Sequence, residues 1–207
     1  MTSVPPAGAP LQSSIDVRDP RALRALAHPL RGKLLGLLRL DGPSTATQLG
    51  YRLGESSGST SYHLRQLAAY GFVEDMPGEG TGRERWWQAL HRSTHWDTGD
   101  FLDHPAAREV VDELLLAQID ARRRTLSAYF DQRRDLGVEW ETAGSLNDYA
   151  LRLRPDQARA LADEVNDVLA RWRDAHGQPQ GSESDHQSDP ALVMVNLDVL
   201  PLSEYPL

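Results

Sequence analysis

The densest run of side chains able to recognise another molecule lies at residues 57–70, SGSTSYHLRQLAAY. On a helix, Ser61, Leu64, Leu67 and Ala68 fall on one side, with Leu64 and Leu67 as core anchors. Ser59, Tyr62, His63, Gln66 and Tyr70 fall on the other. That outward face is polar and short-armed at its start, then aromatic. Small residues let a helix N-terminus approach a phosphate, and its free N–H groups and positive dipole end favour that approach. His63, Arg65 and Gln66 carry donors that reach base edges or phosphates. Taken alone, the stretch fits equally well an amphipathic helix whose polar face meets water.

Other chemistry is poorly supported. The chain has 207 residues and no cysteine, which excludes disulfides, thiolate metal sites and a cysteine nucleophile. His91, His95 and His104 cluster in sequence. The first two have the i,i+4 spacing of one helix face, but no fixed carboxylates accompany them, so no metal site is expected. No GxSxG, P-loop or HExxH pattern occurs, and no enzyme or cofactor is expected. The glycine-rich GEGTG at 78–82 joins two apparent strands with no helix after it, so it reads as a turn. Five tryptophans, Trp86, Trp87, Trp96, Trp140 and Trp172, have two readings. They are core packing, or they line an aromatic pocket for a small-molecule effector.

The formal net charge is −8, but it is unevenly spread. Residues 16–90 hold ten Arg/Lys against eight Asp/Glu, whereas residues 91–207 hold twelve against twenty-two. For a polyanionic partner the local field of the front half matters more than the total. No apolar run nears the ~20 residues of a membrane span, and the N-terminus lacks the basic and apolar regions of a signal peptide. A cytoplasmic protein is expected.

The elements that would position the 57–70 stretch follow from local signals. Asp19-Pro20 starts a helix that runs to Pro29. Leu30, Leu34, Leu35, Leu37 and Leu38 mark a second, stopped by Asp41-Gly42-Pro43. Ser44 or Thr45 caps a short third helix ending at Gly54. ESSGS is a turn, and the fourth helix runs from about Ser59 to Tyr70. FVEDM and RWWQAL read as strands of a hairpin whose tip carries Arg83 and Arg85. A long helix follows from about Pro105 to Asp135. NDYALRL alternates like a strand, Pro155 opens a helix with an apolar stripe from Ala158 to Trp172, and ALVMVNLDVLPL reads as a closing strand.

Helix, short turn, helix and hairpin is the order of a winged helix-turn-helix. The segments LAHPLRGKLLGLL, TATQLGYRLGESSGSTSYHLRQLAAYGFVED and the arginine-bearing hairpin resemble ArsR-type bacterial transcriptional regulators over about residues 18–90. The most specific parts are HPLR and the run Ser61, His63, Leu64, Leu67, Gly71 and Val73. The resemblance implies that residues 45–54 are the positioning helix, 59–70 the recognition helix and 73–89 the wing, and it implies a homodimer. The tail is similar to an extension in one branch of such regulators, except that Arg154 stands where that branch has a capping hydroxyl. Many ArsR-type proteins sense metals through cysteines or Asp/His sets, and this chain lacks the cysteines.

The expected fold is therefore mainly α with small β elements. It comprises a disordered tail (1–15), a winged helix-turn-helix (16–90), a linker (91–104), a dimerisation helix (105–138) and a C-terminal strand-helix-strand unit (139–207). The expected function is dimeric, sequence-specific binding of double-stranded DNA in transcription regulation. Its expected contacts are Ser59, Thr60, Ser61, Tyr62, His63, Arg65, Gln66, Arg83 and Arg85, with control by a small ligand a further option. The alternative is a winged-helix protein-interaction module with little DNA binding of its own.

Overall fold

The computed structural model describes residues 11–76, 85–103, 105–176 and 191–204. Its first element is a short strand, β1 (Gln12–Asp16), followed by helices α1 (Pro20–Ala27) and α2 (Pro29–Asp41). Both helices start as their sequence dictates. Asp19 accepts the Arg21 N–H at 2.8 Å ahead of Pro20, and the His28 Nδ1 accepts the Leu30 N–H at 3.2 Å ahead of Pro29. His28 is thus the C-cap of one helix and the N-cap of the next. Gly42 ends α2 at φ 81°, in the left-handed range that favours glycine.

A two-residue strand β2 (Ser44–Thr45) leads into α3 (Ala46–Leu53), and α4 (Ser57–Ala68) follows after three residues. Strands β3 (Val73–Met76) and β4 (Trp86–Ala89) form an antiparallel hairpin in the register Val73↔Ala89 to Met76↔Trp86. β2 adds to the other edge of β4, so the sheet order is β2-β4-β3. As the central strand, β4 is buried at every residue. Trp86 and Trp87 are both buried on opposite faces of it, Trp87 in the core cluster, and Gln88 donates to Glu74 at 2.5 Å. This is the winged helix-turn-helix arrangement. The hairpin tip, with Arg83, lies outside the described residues.

Two expectations give way here. The disordered stretch 1–15 overlaps β1, which pairs in parallel with β5 (His91–His95), the segment expected to be a linker. Apolar anchoring explains the order: Leu11 and Ile15 pack on the core and Val17 is buried in it. Arg39 ties the same seam together from α2, donating to the His91 carbonyl at 2.8 Å and to the Thr94 hydroxyl at 2.7 Å. His91 and His95 therefore sit on a strand, and their spacing is not that of a helix face.

A one-turn 3₁₀ segment (Thr98–Phe101) precedes α5 (Pro105–Gln132). The first turns of α5 belong to the same core, with Ala107, Val110, Val111 and Leu114 buried beside Phe101. Part of the long helix is thus consumed by the head itself. With Leu23, Leu34, Leu38, Leu49, Leu64, Leu67 and Phe72 at 0–1% exposure, this is one continuous hydrophobic core.

The chain divides into two compact units, residues 1–125 and 126–207. The second contains the end of α5, a short helix α6 (Val138–Ala143) and α7 (Pro155–His176). Arg154 lacks a capping hydroxyl, but Gln157 supplies one half of a capping box by accepting the Arg154 N–H at 3.0 Å. The expected strand-helix-strand unit is corrected: residues 145–154 and 191–202 form no strand. Alternation favours an extended chain with one apolar face, but a strand also needs a partner edge for its backbone, and these segments pair with none of the described strands. No helix of the described residues is long and apolar enough to cross a membrane.

Candidate nucleic-acid interface

The joint between α3 and α4 is built from small residues and caps. Thr45 accepts the Gln48 N–H while Gln48 accepts the Thr45 N–H at 2.9 Å, a complete capping box on α3. Gly54 adopts φ 70° and turns the chain, so that Glu55 N–H donates to the Gly50 carbonyl at 2.8 Å. Ser56 then caps α4 by accepting the Ser59 N–H at 3.1 Å. Because Ser56 is already the cap, the helix begins at Ser57 and the turn is shorter than the sequence suggests.

Gly50 has to be a glycine for this geometry. A Cβ there would lie 2.7 Å from the Glu55 carbonyl oxygen and 3.1 Å from the Thr60 Oγ1. Thr60 is fully buried and its hydroxyl donates to the Ser56 carbonyl at 3.0 Å. That bond satisfies the one polar atom, leaving the methyl to pack. Thr60 is thus removed from the expected DNA-contact set: it locks α4 against α3 and cannot reach a groove.

Burial of Leu64 and Leu67 turns the rest of α4 outward. Tyr62 is 52% exposed and Arg65 is exposed, while Ser59, Ser61 and Gln66 are half-buried. Ser57 and Gly58 stand open at the N-terminus. The Ser59 hydroxyl lies 3.4 Å from the Glu55 carboxylate, so an anion approaching this helix end meets one negative neighbour. On the hairpin, Arg85 pairs with Asp75 at 3.5 Å, both largely exposed. An exposed pair of this kind is worth little, and a phosphate can replace the carboxylate.

His63 is half-buried on α4. Its ring lies 4.4 Å from that of His28 and 5.1 Å, edge-on, from Tyr62, and its Nδ1 is shielded with no hydrogen-bond partner. Burial, then the neighbouring His28 and Arg31, hold its pKa below the ordinary histidine value, with Glu55 opposing. Burial and Arg31 do the same to His28. Arg31 reaches back to the Arg24 carbonyl at 3.1 Å. Within the cluster His28, Arg31 and His63, the ring of His63 meets Tyr62 and Arg31 interacts with it electrostatically. The sequence contains the signal, the HPLR segment, but only as a motif and not as the neighbour of α4.

Trp86 and Trp87 are core residues of the head, and Trp96 packs on that core. A groove of about 510 Å³ runs along α3, lined by Leu37, Pro43, Thr47, Tyr51, Arg52 and the edge of Trp86. Trp140 and Trp172 lie in the second unit, where Trp172 stacks near His176. No cluster of three metal-ligating side chains occurs among the described residues.

Residues 26–75 match the family model for a helix-turn-helix domain. That helix-turn-helix domain covers α2, α3, α4 and β3, about a quarter of the chain. No curated protein matches the chain. Among solved structures it is similar to disulfide-formed AbfR, at 17% identity over 51% of this chain and 69% of that one, with a TM-score of 0.28. It is also similar to the transcriptional regulator Tm0710 from Thermotoga maritima, at 12% identity over 76% and 89%, with a TM-score of 0.29. RV1404 from Mycobacterium tuberculosis gives 15% identity over 76% and 84%, again at 0.29.

Proposed function

We propose that this protein is a homodimeric, sequence-specific DNA-binding transcriptional regulator of the ArsR type, one that does not sense metals through cysteine. The observation that supports it most is the Gly50–Thr60 joint. It holds α4 at a fixed angle on α3 while leaving Tyr62, Arg65 and the Ser57–Ser61 end facing out. In such domains the second helix enters the major groove, and two copies read half-sites about 34–36 Å apart or a multiple of that. Ser59, Ser61 and the helix N-terminus serve phosphate, Gln66 and Tyr62 the base edges, and Arg65, Arg83 and Arg85 the backbone. Residues 1–125 carry fifteen Arg/Lys against fifteen Asp/Glu, so the whole −8 lies beyond them and the DNA-binding unit is not itself repelled. A small effector would find its place in the groove along α3, where occupancy would bear on the positioning helix.

Mobility shift and footprinting on genomic fragments test this. A discrete protected site is expected, with affinity falling steeply as salt rises. Arg65→Ala should weaken binding across sequences and lower the salt slope by about one, while Tyr62→Ala should relax sequence preference. An absence of any protected site, or binding indifferent to salt, refutes the reading and favours a protein-interaction module.

A further inference from the structure

The described residues of the second unit, 126–207, have no interior. None of its described residues is buried, whereas the first unit buries twenty hydrophobic side chains. Yet its sequence is not that of a tail with nothing to bury. Along α7, Ala158, Leu161, Ala162, Val165 and Leu169 form one stripe and are only half-buried, and Trp172 beyond them is 65% exposed. Tyr149, Leu151 and Leu153 are exposed at 84%, 62% and 42%, and Val193 and Val195 at 63% and 60%. Sixteen of the 23 exposed large hydrophobic residues lie in this unit. Helical propensity alone stabilises a lone helix weakly; an amphipathic one needs something against its apolar face.

We infer that residues 126–204 acquire their core from the same residues of a second copy of this chain, so that the unit folds fully only in the dimer. The inference deepens the dimeric reading above and rests on it for the number of copies. Three observations select this occupant. The exposed apolar side chains amount to on the order of 1,500 Å² per chain, above the ~800 Å² per partner of a standard stable interface. The unit holds seven Arg against fifteen Asp/Glu, which argues against DNA or an anionic membrane as the covering surface. It also carries a helical stripe and, in sequence, two apolar rows, Tyr149, Leu151 and Leu153, and Val193 and Val195, all exposed. A two-fold axis can pair the stripe of one copy with the rows of the other.

Two like-charged units meeting through apolar faces have a distinctive salt response. Added salt screens their repulsion and tightens the dimer, whereas it weakens DNA binding. The test uses the full chain, with hydrogen exchange and sedimentation velocity measured over the same range of chain concentrations and at two salt levels. The expected result is a dimer strengthened by salt, with protection of α7 and of residues 145–153 falling about tenfold or more on dissociation while head amides are unchanged. Leu151→Asp combined with Leu161→Asp should give a monomer with an unprotected α7 and an unaltered head transition. Three results overturn the inference. One is α7 equally protected in a monomeric chain. Another is a dimer in which 126–204 exchanges freely. The third is a chain monomeric throughout, which points to a different covering protein. If specific DNA binding fails while the protected dimer persists, the functional reading falls and this one stands.

Discussion

Both units of this chain are rich in amphipathic helices, and they differ in what those helices meet. In residues 1–125 successive helices are joined by very short links: a shared His28 cap between α1 and α2, and three residues between α3 and α4. Each apolar face is delivered onto its neighbour, and Leu23, Leu34, Leu49, Leu64 and Leu67 close at 0–1% exposure. In residues 126–207, α7 has the same kind of stripe but is preceded by a stretch, 144–154, with no regular structure, and none of the unit's described residues is buried. Amphipathicity is therefore a demand for a partner, and the length and chemistry of the connections decide whether the same chain can supply it.

The sharpest way to break this contrast is to delete one leucine from each unit. Leu64→Ala removes a fully buried side chain between α4 and the core, and should cost about 2–5 kcal/mol in urea unfolding of the full chain. Leu151→Ala removes one that is 62% exposed, and should stay within about 0.5 kcal/mol when the chain is dissociated. Comparable costs in the dissociated chain would mean that the second unit has a core of its own.

Gly50→Ala sharpens the comparison within the head. In a helix the change gains about 1 kcal/mol of propensity. Against that, the new Cβ meets a backbone oxygen at 2.7 Å, which no side-chain rotation relieves. Overpacking of this kind costs about 1–3 kcal/mol, so a net loss of stability is expected in thermal unfolding. A larger effect is expected on specific DNA affinity, because α4 must shift on α3. Alanine at Gly58, where no such close contact exists, is the control and should be neutral or stabilising for the fold.

Caps give a smaller version of the same contrast. Ser56→Ala removes the acceptor for the Ser59 N–H and should cost about 1 kcal/mol. Gln157→Ala removes the acceptor for the Arg154 N–H on α7. Its effect should be invisible in the dissociated chain and emerge only at concentrations where the dimer forms. Equal, concentration-independent costs would erase the distinction between the two units.

How far the sequence reveals all this depends on how local the cause is. Asp19-Pro20, Gly42, Thr45 and Gly54 could be placed because capping and left-handed turns are written within four residues. The parallel pairing of 12–16 with 91–95 could not, since nothing nearby signals a contact closed across the whole helix-turn-helix. Thr60 reads as a contact residue because its type is polar, while one hydrogen bond to Ser56 makes it a packing residue. Arg39 gave no sign at all. It is a charged residue in a leucine-rich helix, with burial pulling its pKa down to about 10 and its donors spent on His91 and Thr94. In the tail the alternation was legible, but a strand needs a partner, and that part of the answer lies outside the chain.

The gentlest test of the contrast is pH, because among the described residues the histidines with shifted pKa values all sit in the head. Burial, with Arg31 next for His28 and with His28 and Arg31 for His63, lowers both pKa values below 6.5; burial and Arg39 lower that of His91. The groups facing the pair are Arg31 from α2, Glu55 from the α3–α4 turn, and Tyr62 on α4; the backbone of His28 itself, for that ring, and Glu55, for both, favour the charged forms and are outweighed. For a histidine whose folded pKa is lowered, the unfolded chain binds the proton first. Stability is then complete above the ordinary value of 6.5 and declines as pH falls below it. His28 adds a direct cause, since its neutral Nδ1 accepts the Leu30 N–H and a protonated ring cannot. The head transition in urea should therefore weaken between about pH 7.5 and pH 5.5. His28→Asn, which keeps an N-cap acceptor without a titrating proton, and His63→Gln should each flatten that decline, and the double variant should leave only the contribution of His91. A head whose stability holds or rises on acidification would show that the His28–His63 contact does not disfavour charge, and would separate that cluster from the rest of the packed core.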